Sequence, residues 1–159
     1  MPETMTVYRV REQLDVYAPR QAVDELARKL GFQRKARQEL AIVVSELCSN
    51  IVKYGVRGGI EIETFSDPVN GMAIMLIATD VGPEFKDFWM ALQDGCDDQG
   101  PIDPAQLINR QGLGIGLGAV TRLTDSLQLE QGKQGKRIRV VRYLKPPLKA
   151  LRWSKLPNR

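Results

Sequence analysis

Three groups of residues in this chain have types and spacings that could do chemistry. The first is Glu46, Asn50 and Lys53, four and three residues apart within an apolar-patterned stretch. Helical geometry places all three on one stripe, about 100° from the apolar face. An ordinary solvated polar face has the same appearance. The second is Asp80, at the end of an apolar run and followed by Val81-Gly82-Pro83. A carboxylate there can accept from an exocyclic amine such as that of adenine, and Gly82 lets a base approach the backbone. A plain turn ending a strand also reads this way. The third is Gly112-Leu-Gly-Ile-Gly-Leu-Gly118, entering a helix. Its exposed amides and the positive end of the helix dipole suit a phosphate, and a hinge would use the same glycines. Neither the Walker pattern nor a strand-linked dinucleotide turn is present.

The composition narrows the chemistry. The 159 residues contain no histidine, which excludes imidazole-based nucleophile schemes, imidazole metal sites and a phospho-histidine acceptor. A catalytic base must then be Glu or Asp. Only Cys48 and Cys96 are present, with no spacing for zinc or a disulfide framework, so a reduced, cytoplasmic setting is expected. No apolar run approaches the ~18 residues of a membrane span. The formal charge of +4 sits in the tail: Lys145, Lys149, Arg152, Lys155 and Arg159 carry +5 without an acid, leaving −1 elsewhere. Neither a nucleic-acid nor a membrane partner is expected from that distribution.

The positioning elements follow from periodicity. Thr6–Gln13 alternates as a strand. Pro19 opens a helix with Ala22, Val23, Leu26, Ala27 and Leu30 on one face, closed by Gly31. A longer helix over about Lys35–Tyr54 buries Leu40, Val44, Leu47 and Ile51. Strands follow at Gly59–Phe65 and Met72–Thr79, the second apolar enough to lie at a sheet centre. Residues 83–111 carry six acids against two bases and read as a lid with one short helix near Asp87–Leu92. After the glycine run come a helix to about Thr124 and a hairpin of Ser126–Gln131 and Arg137–Leu144. This order predicts an α+β fold, a two-layer sandwich with a mixed, mostly antiparallel sheet and helices on one face. Residues 1–144 form the domain and 145–159 a basic tail.

Taken together, the Glu-x-x-x-Asn helix, the strand ending in Asp-x-Gly, the acidic lid and the Gly-Leu-Gly-x-Gly-Leu-Gly run resemble the GHKL (Bergerat-fold) ATPases and kinases. The likeness covers about residues 7–144. Lys29-Leu-Gly-Phe32, Ser45-Glu-Leu-Cys-Ser-Asn50, Gly59-Ile-Glu-Ile-Glu63 and Gly112 through Leu123 are most similar to the RsbT-type branch, beside the RsbW/SpoIIAB-type anti-sigma-factor kinases. The resemblance implies a serine/threonine protein kinase that uses ATP and Mg²⁺ and phosphorylates STAS-domain antagonist proteins. It also implies partner switching, with a phosphatase or a sigma factor as a further partner and a homodimer as one open state. Residue by residue, it implies Glu46 as general base and Asn50 as holder of the phosphate-bridging Mg²⁺. Asp80 and Gly82 would take the adenine. Gly112, Gly114, Gly116, Leu117 and Gly118 would meet the phosphates, with Lys53 and Tyr54 beside the nucleotide. Two departures stand out: Glu84 replaces the second glycine of Asp-x-Gly-x-Gly, and Gly135-Lys136 replaces the usual Gly-Thr. A weak or inactive nucleotide-gated binding module is therefore the alternative to an active kinase. A motor ATPase is not expected, for want of room for a transducer domain. Nor is a sensor histidine kinase, for want of a histidine.

Overall fold

A computed structural model describes residues 5–92, 96–97, 100–101 and 116–146 of the chain. The elements run β1 (Thr6–Val10), a 3-10 turn (Gln13–Val16), α1 (Tyr17–Leu30), α2 (Arg34–Tyr54), β2 (Gly58–Asp67), β3 (Gly71–Asp80) and α3 (Phe88–Ala91). A two-residue pair, β4 (Cys96–Asp97) and β5 (Gly100–Pro101), comes next. It is followed by α4 (Gly116–Leu123), β6 (Ser126–Gly132) and β7 (Gly135–Tyr143).

The main sheet has the order β1-β2-β3-β7-β6, and all four of its pairings are antiparallel. The expected mixed character is thus absent from the described sheet. β3 lies at the centre, with Ile74, Leu76 and Ala78 in the main core below the helices. Its alternate residues Ala73 and Ile77 are also buried, at 0% and 1% exposure, as its near-continuous apolar run requires. On that second face Ala73, Val141 and Tyr143 form a small cluster, with the Phe65 and Tyr143 rings edge to face at 6.1 Å.

The helices form a single layer over the first face. α2 buries Leu40, Val43, Val44, Leu47 and Ile51, the anticipated stripe widened by Val43. α1 lies against α2 through Val23 and Ala27. A bidentate pair ties the two, Arg37 donating to Asp24 at 2.9 and 3.0 Å. That guanidinium holds the Asp24 carboxyl below the usual carboxylate range. Arg142 of β7 reaches up to Glu39 of α2 at 2.8 Å and to the Leu123 carbonyl ending α4 at 2.7 Å.

Two boundaries differ from the periodicity. β1 stops at Val10, because Asp15 accepts from the Arg11 and Glu12 amides at 2.7 and 3.0 Å. This side-chain competition turns the backbone out of the ladder. α1 begins at Tyr17, which puts Pro19 in its first turn, where a missing N–H leaves no bond unmade. α3 matches the expected short helix, capped by Asp87 accepting from the Met90 amide at 3.0 Å. Residues 93–95, 98–99 and 102–111 of the expected lid and the tail beyond Pro146, Trp153 included, lie outside the described residues.

β7 starts under a tight constraint. Gly135 has φ +124°, and a Cβ there would overlap the Asp80 carbonyl and lie 2.8 Å from the Val81 Cα. Gly71 is also left-handed, at φ +82°, but has nothing within 4 Å of its would-be Cβ. Gly135→Ala is expected to cost about 2–4 kcal/mol, and Gly71→Ala roughly 1 kcal/mol. Thermal melts of the two variants check this. Equal losses would mean that the contact with Asp80 does not constrain the fold.

Candidate functional site

α2 presents its polar stripe towards α4 and the end of β3. Glu46 is 6% exposed although ionisable, and its Oε2 accepts from the Gly116 amide at 3.1 Å. That bond joins the carboxylate of α2 to the first residue of α4, so two of the three sequence groups meet directly. Asn50 is half-buried one turn on, while Lys53 and Tyr54 are exposed in the last turn. Ser49 falls on the same stripe, three residues after Glu46. It is 4% exposed, and its Oγ has no hydrogen-bond partner among the described residues. A hydroxyl left so deserves an explanation, and a ligand in front of the stripe supplies one. The spacing alone could have found Ser49, since three and four residues are equivalent on a helix face.

Asp80 is 8% exposed at the end of β3. Its Oδ1 accepts from the Gly82 amide at 2.8 Å and from Lys136 Nζ at 2.9 Å. The side chains of the pair are 6% and 3% exposed. Gly82 fits tightly: a Cβ on it would lie 2.9 Å from both Asp80 Oδ1 and the Tyr54 carbonyl. The glycine thus serves the packing of its own loop against α2, whatever else approaches it. Glu84 is exposed, whereas Phe85 is buried. Lys136 was noted in the sequence only as a missing threonine. Its partnership with Asp80 depends on the β3–β7 register, in which the two residues are directly opposed.

Of the glycine run, Gly112 and Gly114 lie outside the described residues. Gly116 opens α4 at φ +65°, and Gly118 is buried. The Leu117 side chain, 3% exposed, belongs to the hydrophobic core, so only its backbone is available to a phosphate. A cavity of about 450 Å³ opens at the ends of β3 and β7, with Asp80, Lys136, Thr79, Gln131 and Arg137 in its wall. Glu46 and Asn50 are not part of that wall.

The donor set bears on a metal. No cluster of three or more His, Cys, Asp or Glu exists among the described residues. A fully protein-made metal cage is therefore not built here. A half-buried asparagine oxygen beside a buried carboxylate does fit Mg²⁺, which takes few protein ligands and completes its shell with phosphate and water.

The profile of the histidine kinase-like ATPase domain matches residues 11–142. The chain belongs to that family. It is 30% identical over 138 residues to the serine/threonine-protein kinase RsbT of Bacillus subtilis (strain 168), covering 86% of this chain and 95% of that protein. Its fold matches a crystal structure of RsbU and RsbW domains from Mycobacterium tuberculosis with a TM-score of 0.57 and 14% identity. That match covers 90% of this chain and 32% of the solved one. The α+β sandwich and the likeness to GHKL proteins of the RsbT kind are thereby established. No helix among the described residues is long and apolar enough to cross a membrane.

Cys48, between Glu46 and Asn50, is not a nucleophile of this site. It is fully buried, and burial pushes its thiol up from 9.0 to about 12. The unfolded chain therefore loses this proton near pH 9, while the folded chain keeps it up to about 12. Stability should fall as pH rises through that window, by up to ~4 kcal/mol from this group. Denaturant melts between pH 8 and 11 should show a shallower decline in Cys48→Ala than in the parent. Parallel declines would show that the thiol does not titrate this way.

Proposed function

We propose that this protein is an ATP-dependent serine/threonine protein kinase. It acts in the cytoplasm as a partner-switching regulator of an anti-sigma-factor pathway, with a STAS-domain antagonist as substrate. The observation that carries the reading is the bond from the Gly116 amide to Glu46. It brings the carboxylate of α2 and the N-terminal end of α4 to one point, as a base beside a phosphate-binding helix end needs. The similarity to RsbT supports the choice of a protein hydroxyl as acceptor, and the absence of histidine supports a carboxylate as the base.

In this reading Asp80 accepts from the adenine amine. Gly116 and Gly118, with Gly112 and Gly114 before them, offer amides to the phosphates. Asn50 holds the Mg²⁺, whose charge offsets that of the triphosphate. Glu46 accepts the proton of the serine or threonine hydroxyl as its oxygen bonds the γ-phosphorus. The bond from that phosphorus to the β-phosphate oxygen breaks, and ADP leaves. Positioning and neutralisation contribute most of the rate in such transfers. Lys53 and Tyr54, exposed at the end of α2, border the nucleotide's path. The fold serves equally well for a nucleotide-gated binding module with little turnover, and the Asp80–Lys136 pair is the observation that favours this second reading.

Two variants separate the readings. Asn50→Ala should abolish Mg-ATP binding in calorimetric titration. Glu46→Ala should leave that binding within a few-fold of the parent while reducing phosphotransfer to a STAS-domain substrate by about 10²–10⁴-fold. Turnover that survives in Glu46→Ala would remove the base assignment. Binding without turnover in the parent would favour the gated module.

A further inference from the structure

We propose that Lys136 is a built-in occupant of the base-recognising carboxylate and thereby sets how tightly the site takes the adenine ring. The inference rests on the reading of Asp80 as the acceptor for the adenine amine.

The lysine is fixed from every side. Its Nζ donates to Asp80 Oδ1 at 2.9 Å and to the Pro83 carbonyl at 2.5 Å, and it stands 5.5 Å from the centre of the Phe85 ring. That ring is itself held: the Phe85 amide donates to Gln131 Oε1 at 3.0 Å, and Phe88 lies against it at 5.1 Å between centroids. Direct opposition of Asp80 and Lys136 in the ladder puts the two side chains on the same face of the sheet and within reach of each other. Gly135, pressed against the Asp80 carbonyl, fixes the backbone just before it.

An ammonium has three donors and no acceptor, so it competes for the lone pairs that an exocyclic amine would use. It is also the stronger donor, because its bond to the carboxylate is charge-assisted on both sides. An incoming adenine must either share a neutralised carboxylate or displace the lysine. Displacement would leave a buried ammonium with one carbonyl and an aromatic face, which is costly. Both routes reduce the gain from the base. Without the lysine, the buried Asp80 charge would lack its side-chain partner, and the adenine amine would restore one.

This predicts a sign opposite to simple electrostatics, by which loss of a cation near a polyanion weakens binding. The test is calorimetric titration of the full chain with Mg-ATP and, separately, with inorganic triphosphate. The proteins are the parent, Lys136→Thr and Lys136→Met. The methionine keeps the length of the stem over Phe85, which guards against a threonine variant that fails to fold, and thermal melts verify both. Both variants are expected to bind Mg-ATP at least about tenfold more tightly, with triphosphate affinity unchanged. Binding seen only in the variants supports the proposal equally. Parent binding that is equal to or tighter than that of the variants overturns it while leaving the ATP reading intact. Equal gains for triphosphate and ATP also overturn it, because the effect would then lie outside the base pocket. No binding by any of the three overturns both the proposal and the ATP reading.

Discussion

The approach of three backbone segments to the end of β3 is the constraint on which the rest of the site depends. The C-terminal end of α2, the loop after β3 and the start of β7 all come within van der Waals reach of Asp80 or its neighbours. A Cβ on Gly55 or Gly82 would sit 2.9 Å from Asp80 side-chain atoms, and one on Gly135 would overlap its carbonyl. The Asp80 side chain is itself held by the Gly82 amide and by Lys136, and the Gly135 contact is backbone to backbone, so little slack remains at this point. These contacts pin α2 against the sheet at its last turn. Asn50 and Glu46, one and two turns back on the same rigid helix, thereby acquire a set distance from Asp80. Residues 30 and 34 positions from Asp80 in sequence join one candidate site through packing rather than through any direct bond between them.

Charge distribution separates the parts of the molecule that brace from those that could react. The exposed or half-exposed pairs, Arg37–Asp24 and Arg142–Glu39, tie helix to helix and helix to sheet, and pairs of that kind add little each. The buried polar or charged side chains among the described residues are Glu46, Ser49, Asp80 and Lys136. Burial of such groups is costly unless each finds a partner, so a core of 30 buried hydrophobic residues among the described ones does not carry them without reason. Glu46 and Ser49 lie on α2, where Glu46 meets the start of α4, and Asp80 and Lys136 lie at the ends of β3 and β7. The same stretch of helix also buries Cys48 in the apolar core, which shows that α2 divides its two faces sharply.

Much of this was legible in the residues, for physical reasons that differ by element. The α2 stripe, the central β3 run and the short helix near Asp87–Leu92 are local patterns, and each lies within a residue or two of its expected place. The end of β1 was not legible, because the alternation continues past Val10 and only the Asp15 side chain, four residues beyond Arg11, diverts the chain. The partnership of Lys136 was also hidden. It rests on a ladder register between strands that end at Asp80 and begin at Gly135, and no local spacing encodes that. Leu117 has its side chain in the core, so a part for it at the phosphates falls to its backbone. Ser49 is within reach of helical spacing, but a serine on a helix face carries no chemical signal until its burial without a partner is known.

The arrangement also bears on how a ligand's contribution should be counted. Within the chain, Asp80 already has the Gly82 amide and the Lys136 ammonium, and Glu46 already has the Gly116 amide. An adenine amine arriving at Asp80 would exchange donors rather than fill a bare acceptor. The net gain is then the difference between two hydrogen bonds, which is much smaller than either alone. Such a design makes a buried carboxylate tolerable in the fold, since each charge has an internal partner of suitable geometry. It also makes affinity sensitive to whatever loosens those partners, because the strongest internal donor sets the level that a ligand must exceed. The 30% identity to a kinase over most of the chain is compatible with retained chemistry on α2. In the proposed reading the lysine on β7 acts on the base end of the site, away from that chemistry. Recognition of the base and proton transfer then fall to different elements of the same sandwich, and a substitution at Lys136 need not disturb Glu46.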